Sequence, residues 1–593
     1  MADTVSDFLV QRLIDWGVRR VFGYPGDGIN GILGACDRAS DAIEFVQARH
    51  EEMAAFMAVG HAKLTGEVGV CLATSGPGAV HLLNGLYDAM LDHQPVVAIV
   101  GQQARAALGG GYQQEIDLQN LFKDVAHEYV QTVTTPEQMR HVIDQALRVA
   151  LSQRCVTCVI VPSDVQKLAA VEPPREHGTV HSGIGWQPPR VVPRKEDLQK
   201  AADILNAGRR IAILVGAGAS GAGDEVVALA DLLGAGVAKA LLGRVIVDES
   251  LPFVTGSIGL LGTKPSWEMM QQCDTLLMIG SNFPYSEYLP KEGQARGIQI
   301  EIDPRRINLR YPMEVGLVGD ARETLRLLLP LLWRKEARDW QEEIAAQVTE
   351  WWALLEDRAM RTGPRLNPQR VFWELSARLP SDAVITVDTG TCTNWYARDV
   401  KVKPGMLAAV SGGLSTMGPA IPYGIAAKFA YPDRPVVALV GDGAMQMNGC
   451  AELVTLLRYW RRWRDPRFVV LVLNNRDLGH VTWEQRVLEG NPKFEDSQTL
   501  PDFPYARYAE LLGFEGVVVD TPDAVAPAWE RAFRAERPVL IEAVVDPHVP
   551  PIPPHLTLGQ IKNFTLSMLK GDPDAAAVIT TTVRETLVRT TGR

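Results

Sequence analysis

The chain lacks a basic excess. Its 593 residues carry 59 Lys and Arg against 70 Asp and Glu, a formal charge of −11, and a protein that binds nucleic acid through its phosphates needs the opposite balance. Long apolar runs are also missing: no stretch reaches the ~18 apolar residues of a membrane span. The first residues, MADTVSDFLVQRLIDWGV, have no basic segment followed by an apolar one and read as an amphipathic helix rather than a signal peptide. Cysteine is scarce, seven residues in all, which excludes a disulfide framework and leads us to expect a reducing, cytoplasmic setting. Cys155 and Cys158 form a C-x-x-C. The β-branched run RCVTCVIVP around them favours two small apolar side chains on a buried strand over a redox pair. With 46% hydrophobic and 22% charged residues, the chain is neither disordered nor fibrous. Its length predicts three or four domains at about 100–200 residues each.

What the chain does have is a repeated alternation of strand and helix. In the first unit, 1–171, AIEFVQA (42–48), VGVCLAT (68–74), PVVAIVG (95–101) and CVTCVIVP (155–162) are apolar strands, with a helix from Glu51 to Leu64. A Pro-rich linker over 172–194 leads to a second unit, 190–333, with strands IAILVG (211–216) and GIQIEID (297–303). A charged helical stretch precedes a third unit, 362–548, whose strands include AVITVD (383–388), PVVALVG (435–441), FVVLVLN (468–474) and PVLIEAVV (538–545). Residues 549–593 form a Pro-rich segment and a helical tail. Continuous apolar strands separated by helices predict parallel sheets covered on both faces. The expected fold is therefore α/β: three doubly wound parallel-sheet domains followed by a C-terminal helical tail.

The densest chemistry lies in the third unit. Gly441, Asp442 and Gly443 follow an apolar strand directly, and a second apolar strand ends in Asn474 and Asn475. Ligands of parallel sheets sit at the carboxyl ends of strands. Glycines there let the backbone approach a diphosphate, and the following helix offers free N–H groups. Asp442 and an Asn supply the hard oxygen ligands that suit Mg²⁺.

Gly-Asp-Gly followed by Asn-Asn resembles the diphosphate-binding motif of thiamine-diphosphate enzymes. The spacer between the two is longer here, and its excess, RYWRRWRDPR (458–467), reads as a solvated loop extending a helix end. In the first unit, ARHEEMAAFMAVGHAKLTG (48–66) and ATSGPGAVHLLNGLYDAMLDHQPVVAIVGQ (73–102) look like the pyrimidine-binding domain of the pyruvate oxidase and acetolactate synthase branch. The resemblance makes Glu51 catalytic. The cofactor must lose its C2 proton, and a carboxyl bonded to the aminopyrimidine favours the tautomer that takes it, in a site kept dry. Glu52 is expected to face solvent. GGLSTMGPAIPYGIAAK (412–428) resembles the loop that bends the cofactor, with Met417 as the wedge; YQQE (112–115) places Gln114 on the active-site glutamine. By the same resemblance, Pro25, Gly26, Ser75, Asn84, Thr389, Gly390, Ser415, Met417, Gly441, Asp442, Gly443, Ala444, Asn475 and Leu478 would contact the cofactor. Asp442, Asn475 and the carbonyl of Asp477 would hold Mg²⁺.

In the second unit, LVGAGASG offers G-x-G-x-x-G at Gly216, Gly218 and Gly221, but GAGVAKALLGR has no acidic residue at the next strand end, which argues against NAD. GSIGLLGTKPS (256–266), GSNFPYSEYLP (280–290) and IQIEIDP (298–304) instead look like the FAD-binding strings of pyruvate oxidases. This assigns FAD contacts to Gly259, Leu260, Leu261, Gly280, Ser281, Asn282, Phe283, Glu301 and Asp303.

The resemblance covers nearly the whole chain and implies a pyrimidine-binding domain, a central FAD-type domain and a diphosphate-binding domain. Three positions on the reacting side depart from the family pattern, with Gln113, Thr389 and His480 making the pocket more polar. His480 is a third candidate catalytic residue. The expectation is thiamine-diphosphate- and Mg²⁺-dependent decarboxylation of a small 2-oxo acid, pyruvate first, with the carbanion oxidised through FAD and electrons passed to a quinone or oxygen. The rival is an acetolactate-synthase-like carboligase with non-redox or absent FAD. A homodimer or homotetramer is expected, without nucleic acid. PPIPPHLTLGQIKNFTLSMLK (550–570) is similar to the end of the quinone-reducing oxidases, where such a segment meets the inner face of the membrane. A packed helical lid is the other reading of that tail.

Overall fold

The computed structural model describes residues 3–591 except 552 and 554, with side chains described as far as 583. Three six-stranded sheets follow one another along the chain. The first holds β1 (Arg20–Gly23), β2 (Glu44–Gln47), β3 (Gly69–Ala73), β4 (Val96–Gln102), β5 (Val130–Thr132) and β6 (Val156–Pro162), in the order β2-β1-β3-β4-β6-β5. The second holds β7 (Ile211–Val215), β8 (Gly236–Lys239), β9 (Val254–Ser257), β10 (Thr275–Ile279), β11 (Arg296–Glu301) and β12 (Val315–Val318), in the order β12-β11-β10-β7-β8-β9. The third holds β13 (Val384–Val387), β14 (Leu407–Val410), β15 (Val436–Gly441), β16 (Phe468–Asn474), β17 (Glu515–Val519) and β18 (Val539–Val544), in the order β14-β13-β15-β16-β18-β17. Neighbouring strands pair in parallel throughout. The first and third sheets share one strand order, and the second has the doubly wound dinucleotide order.

The central strands are buried from end to end, β4, β6 and β16 without exception, because helices cover both faces. Cys155 and Cys158 are buried free thiols on this scaffold.

The first and third domains share one core. Helix Glu51–Thr65 is buried nearly all round, because it lies between its own sheet and helix Ala420–Ala430 of the third domain. Both helices are rich in Ala and Gly, and the approach is close: a Cβ on Gly60 would lie 2.9 Å from the Tyr423 Cα. At the far end of this pair, the Lys63 ammonium donates to Asp92 (2.8 Å), Asp88 (3.1 Å), the Val410 carbonyl (2.8 Å) and the Tyr423 hydroxyl (2.8 Å). A buried charge is tolerated when it is paired and hydrogen-bonded in this way. The central domain is tied on by buried Arg244, which pairs with Glu249 (2.7 Å) and donates to the Val400 carbonyl (2.6 Å).

The Arg/Trp-rich stretch is not simply solvated. Tyr459 and Trp463 are buried, with Tyr459 edge-on to Phe429 and Trp463 stacked on Phe468. Two of its arginines reach the edge strand of the first sheet, Arg462 meeting Glu44 at 2.6 Å and Arg458 bonding Gln47. Aromatic residues between arginines anchored the segment, so the expectation of a free loop is corrected. The tail forms helices Leu558–Leu569 and Ala575–Thr591. It packs on residues 485–491 through Arg486 with Asp572 (2.7 Å) and Asn563 with the Leu488 carbonyl (2.6 Å). Among the described residues no helix is long and apolar enough to cross a membrane.

Candidate active site

In each sheet the strand order reverses beside its first strand, and ligands of such sheets bind in the crevice at the carboxyl ends there. In the first sheet it lies between β1 and β3. Pro25 and Gly26 follow β1, and a Cβ on Gly26 would lie 2.5 Å from the Thr74 Cβ, so only glycine fits. The Thr74 hydroxyl accepts the Gly28 N–H at 3.0 Å. Ser75, fully buried, donates to Gln114 Oε1 at 3.3 Å. Gln114 has φ of 63°, a conformation that costs a non-glycine residue free energy and that clusters at functional sites.

Glu51 opens the long helix directly after β2. His50 caps that helix, its Nδ1 accepting the Glu52 N–H at 3.2 Å, and two acidic residues in the first turn suit the helix dipole. Glu51 is 7% exposed. Its Oε2 lies 2.9 Å from His81 Nδ1, and its Oε1 lies 3.2 Å from where a Cβ on Gly78 would stand. Glu52 does not face solvent as expected. It accepts from Asn84 (2.5 Å) and Asn448 (3.0 Å), because the third domain of the same chain packs over this helix end. Asn84 also donates to the Thr416 hydroxyl at 3.0 Å, so its amide is engaged between domains.

The third sheet reverses between β13 and β15, and its crevice gathers the second group. Asp388 at the end of β13 accepts N–H groups from Thr389 (2.9 Å), Gly418 (2.8 Å) and Ala420 (3.3 Å). It thereby fixes the Met417 loop beside Thr389 and Gly390. Burial pushes the Asp388 carboxyl up to about 7. Ser415 in that loop has φ of 54° and is exposed. Across the crevice, β15 and β16 run in register with Gly441 opposite Leu473, so Asp442 and Asn475 leave adjacent strand ends together. Asp442 is 4% exposed and accepts N–H groups from Gly443 (2.9 Å), Asn475 (3.0 Å) and Arg476 (2.5 Å). Burial raises it to about 7. Asn475 Oδ1 accepts the Asp477 N–H at 3.0 Å, and the Asp477 carboxylate is held by Thr482 and Lys493. A Cβ on Gly443 would meet Leu478 Cδ2 at 2.8 Å and Met417 Cε at 3.2 Å, which places these two side chains against the Gly-Asp-Gly turn. Ala444 is buried behind it. His480 sits one turn on, its Nδ1 accepting from Asn394 (3.1 Å) and its Nε2 facing Glu484 (3.2 Å).

The central sheet reverses between β7 and β10. Gly216, Gly218 and Gly280 pack backbone to backbone there: a Cβ on Gly280, at φ 56°, would lie 2.3 Å from the Gly218 carbonyl carbon. These glycines are thus required for packing of two loops. Gly259 faces Phe283, whose ring a Cβ would meet at 2.8 Å, and the Leu260 carbonyl accepts from Arg398 at 2.7 Å; Leu261 follows in the same turn. The strings 259–261 and 280–283 therefore meet along the carboxyl edge. Ser281 is buried. Asn282 accepts from Arg310 (3.0 Å). Glu301 accepts the N–H groups of Ile302 (2.9 Å) and Asp303 (3.2 Å). Asp303 is held down to about 2 by bonds from Arg305 and Arg306 that outweigh its desolvation.

Sequence comparison agrees with this geometry. Residues 3–121 match the model of the thiamine pyrophosphate enzyme N-terminal TPP binding domain, 198–328 its central domain and 388–543 its C-terminal TPP binding domain. The fold and the two crevices thus define a thiamine-diphosphate enzyme. Among similar proteins are a putative thiamine pyrophosphate-containing protein, YdaP, of Bacillus subtilis, 37% identical over 96% of each chain. A pyruvate oxidase of Lactiplantibacillus plantarum is 30% identical over 91% of this chain and 88% of its own. A probable acetolactate synthase large subunit of Methanocaldococcus jannaschii is 31% identical over 93% of both. The chain belongs to the thiamine-diphosphate-dependent enzyme family that contains pyruvate oxidase and acetolactate synthase.

The residues present suit a magnesium diphosphate. Asp442 is a buried carboxylate with backbone donors and, among the described residues, no ion-pair partner, and a carboxylate, an amide oxygen and a backbone carbonyl form a hard donor set. Among the described residues, nothing but the adjoining chain lies within 4 Å of where a Cβ on Gly441 or Gly390 would stand, which leaves both crevice edges open to a ligand. Sequence reasoning missed Asp388, which fixes the Met417 loop, and Glu452, a buried acid that accepts the Arg49 N–H at 3.1 Å two residues before Glu51. An acid ending the apolar strand AVITVD signalled the first. A lone Glu in a helix gave no signal for the second.

Proposed function

We propose that the chain is a thiamine-diphosphate- and Mg²⁺-dependent enzyme that decarboxylates a small 2-oxo acid, pyruvate foremost, and oxidises the product through FAD. The observation that carries this reading is the buried Asp442 carboxylate on the turn that Met417 and Leu478 pack against, with Asn475 on the neighbouring strand end. Asp442, Asn475 and the Asp477 carbonyl would hold the metal, and the N–H groups of the turn would face the diphosphate. Bound thiamine diphosphate would supply the nucleophilic carbon for decarboxylation. Glu51 would hold the activating proton, Met417 would pack beneath the cofactor, and Gln114 and His480 would line the reacting side. FAD along the central edge would take two electrons and pass them to a quinone or oxygen.

The division of labour we adopt is 1–171 for the pyrimidine end, 190–333 for FAD, 362–548 for the diphosphate and 549–593 as a tail. Glu51 and Asp442 would serve one cofactor between two copies of the chain, in a homodimer or a dimer of dimers. Leu558, Ile561 and Leu569, exposed on the tail, would make any peripheral membrane contact. The second reading, a carboligase, is supported by relatives named acetolactate synthase at 31–32% identity. The absorbance spectrum of the purified protein decides. A flavin spectrum that bleaches on adding pyruvate is expected. A flavin that stays oxidised while a carbon–carbon bond forms supports the carboligase.

A further inference from the structure

The activating carboxyl is held by a group that the motifs did not single out. His81 ends the short helix Pro77–His81 that follows Ser75-Gly76. Its Nδ1 lies 2.9 Å from Glu51 Oε2, and its ring stacks on His50, centroids 4.4 Å apart at 29°. His50 is itself fixed, because its Nδ1 accepts the Glu52 N–H. Glu51 Oε1 accepts no hydrogen bond among the described residues and faces Gly78, where any Cβ would stand 3.2 Å away. The two oxygens of one carboxyl are therefore unlike: one is committed to an imidazole and the other looks onto a bare glycine. The titratable groups facing the His81 ring are Glu51 and His50, with Glu52 3.9 Å from His50 Nδ1.

We propose that His81 is the positioning residue of Glu51. Its Nδ1–H holds Oε2, so that Oε1 is presented over Gly78 to the aminopyrimidine. A carboxylate partner selects the Nδ1–H tautomer. It leaves Nε2 on the open side of a ring that is 43% exposed, while stacking on His50 fixes the ring plane. The proposal rests on Glu51 being the activating acid.

The test begins on the apoprotein, with selectively ¹⁵N-labelled histidine followed by NMR. In the wild type His81 should carry its proton on Nδ1 as a hydrogen-bonded N–H, and in Glu51→Ala that selection should be lost. In the loaded protein, His81→Phe keeps a ring to stack on His50 but has no donor, and His81→Asn restores an N–H. Cofactor affinity should stay within about threefold in both, while exchange of the cofactor C2 proton with solvent slows by about 10-fold or more in Phe and largely recovers in Asn. The same His81 tautomer in wild type and Glu51→Ala overturns the proposal. So does wild-type exchange in His81→Phe when Glu51→Gln is slow. Wild-type exchange in Glu51→Gln itself would instead overturn the role of Glu51, and this inference with it.

Discussion

The first and third domains are built on one strand order and have their crevices at the same topological point, yet the crevices carry different chemistry. At the first, the groups are a carboxyl held by an imidazole, a buried serine and a glutamine at positive φ. At the third, they are a buried aspartate fed by backbone N–H groups, an asparagine and two apolar side chains packed on a glycine turn. Topology therefore fixes where a ligand sits and leaves the residues at strand ends to decide what is done there. On the proposed function, the first crevice would move a proton and the third would hold a charged anchor. The central domain, with a different strand order, uses its crevice glycines for packing.

That contrast predicts opposite failures. Asp442→Ala should weaken Mg²⁺-dependent binding of thiamine diphosphate by about 100-fold or more, as loss of a metal ligand does, and chelation of the metal should do the same to the wild type; titration calorimetry reads both. Glu51→Gln should leave binding within about threefold and lower turnover by about 10²–10⁴-fold, the range for a positioned acid–base group. Equal loss of binding in the two variants would erase the distinction between the crevices.

The glycines sharpen the comparison further. Gly280→Ala, whose Cβ would meet backbone at 2.3 Å, should cost about 2–4 kcal/mol of stability from clash and positive φ together. Gly441→Ala meets nothing within 4 Å and should change stability by less than about 0.5 kcal/mol. Chemical denaturation of both proteins is the check, and similar losses would refute the packing argument.

His480→Phe should alter the choice between pyruvate and a hydroxylated or carboxylated 2-oxo acid by about 1–3 kcal/mol in kcat/KM, with cofactor affinity nearly unchanged. An unaltered ratio would put His480 outside the pocket.

The smallest effect concerns Glu452, whose carboxyl burial pushes from 4.5 up to about 7. A folded-state value above the unfolded one means that stability is full at low pH and is lost as pH rises toward 7. Glu452→Gln keeps an acceptor for the Arg49 N–H and removes the titration. Its stability relative to wild type should therefore rise by of order 1–2 kcal/mol between pH 5 and pH 8. Parallel pH profiles would show that Glu452 titrates as an exposed acid.

Much of this was legible in the sequence because parallel sheets declare themselves. Runs such as VVALVG and FVVLVLN are apolar from end to end only when both faces are covered, and the polar residues that end them must share an edge. That rule put Asp442 and the Asn474-Asn475 pair on one edge; the choice of Asn475, like that of Glu51, came from the resemblance of the strings around them. What stayed hidden depends on contacts between domains or on backbone conformation. Glu52 read as exposed until Asn448 of the third domain was seen to bond it. Tyr459 and Trp463 were lost among arginines because charge dominates that stretch. Gln114, Ser415 and Arg476 adopt φ of 63°, 54° and 57°, and no residue type there announces it.

The proposal that the two crevices complete one site between copies of the chain is tested by mixing two inactive proteins. Glu51→Gln and Asp442→Ala homodimers are dissociated together and reassembled, and turnover is measured. If the crevices face each other across copies, each mixed dimer has one site with both residues intact, and activity returns to roughly a quarter of wild type, since about half of randomly paired dimers are mixed. If Glu51 and Asp442 of one chain serve the same cofactor, every site in the mixture lacks one of them. Confirmed mixed dimers with no recovered turnover would contradict the account.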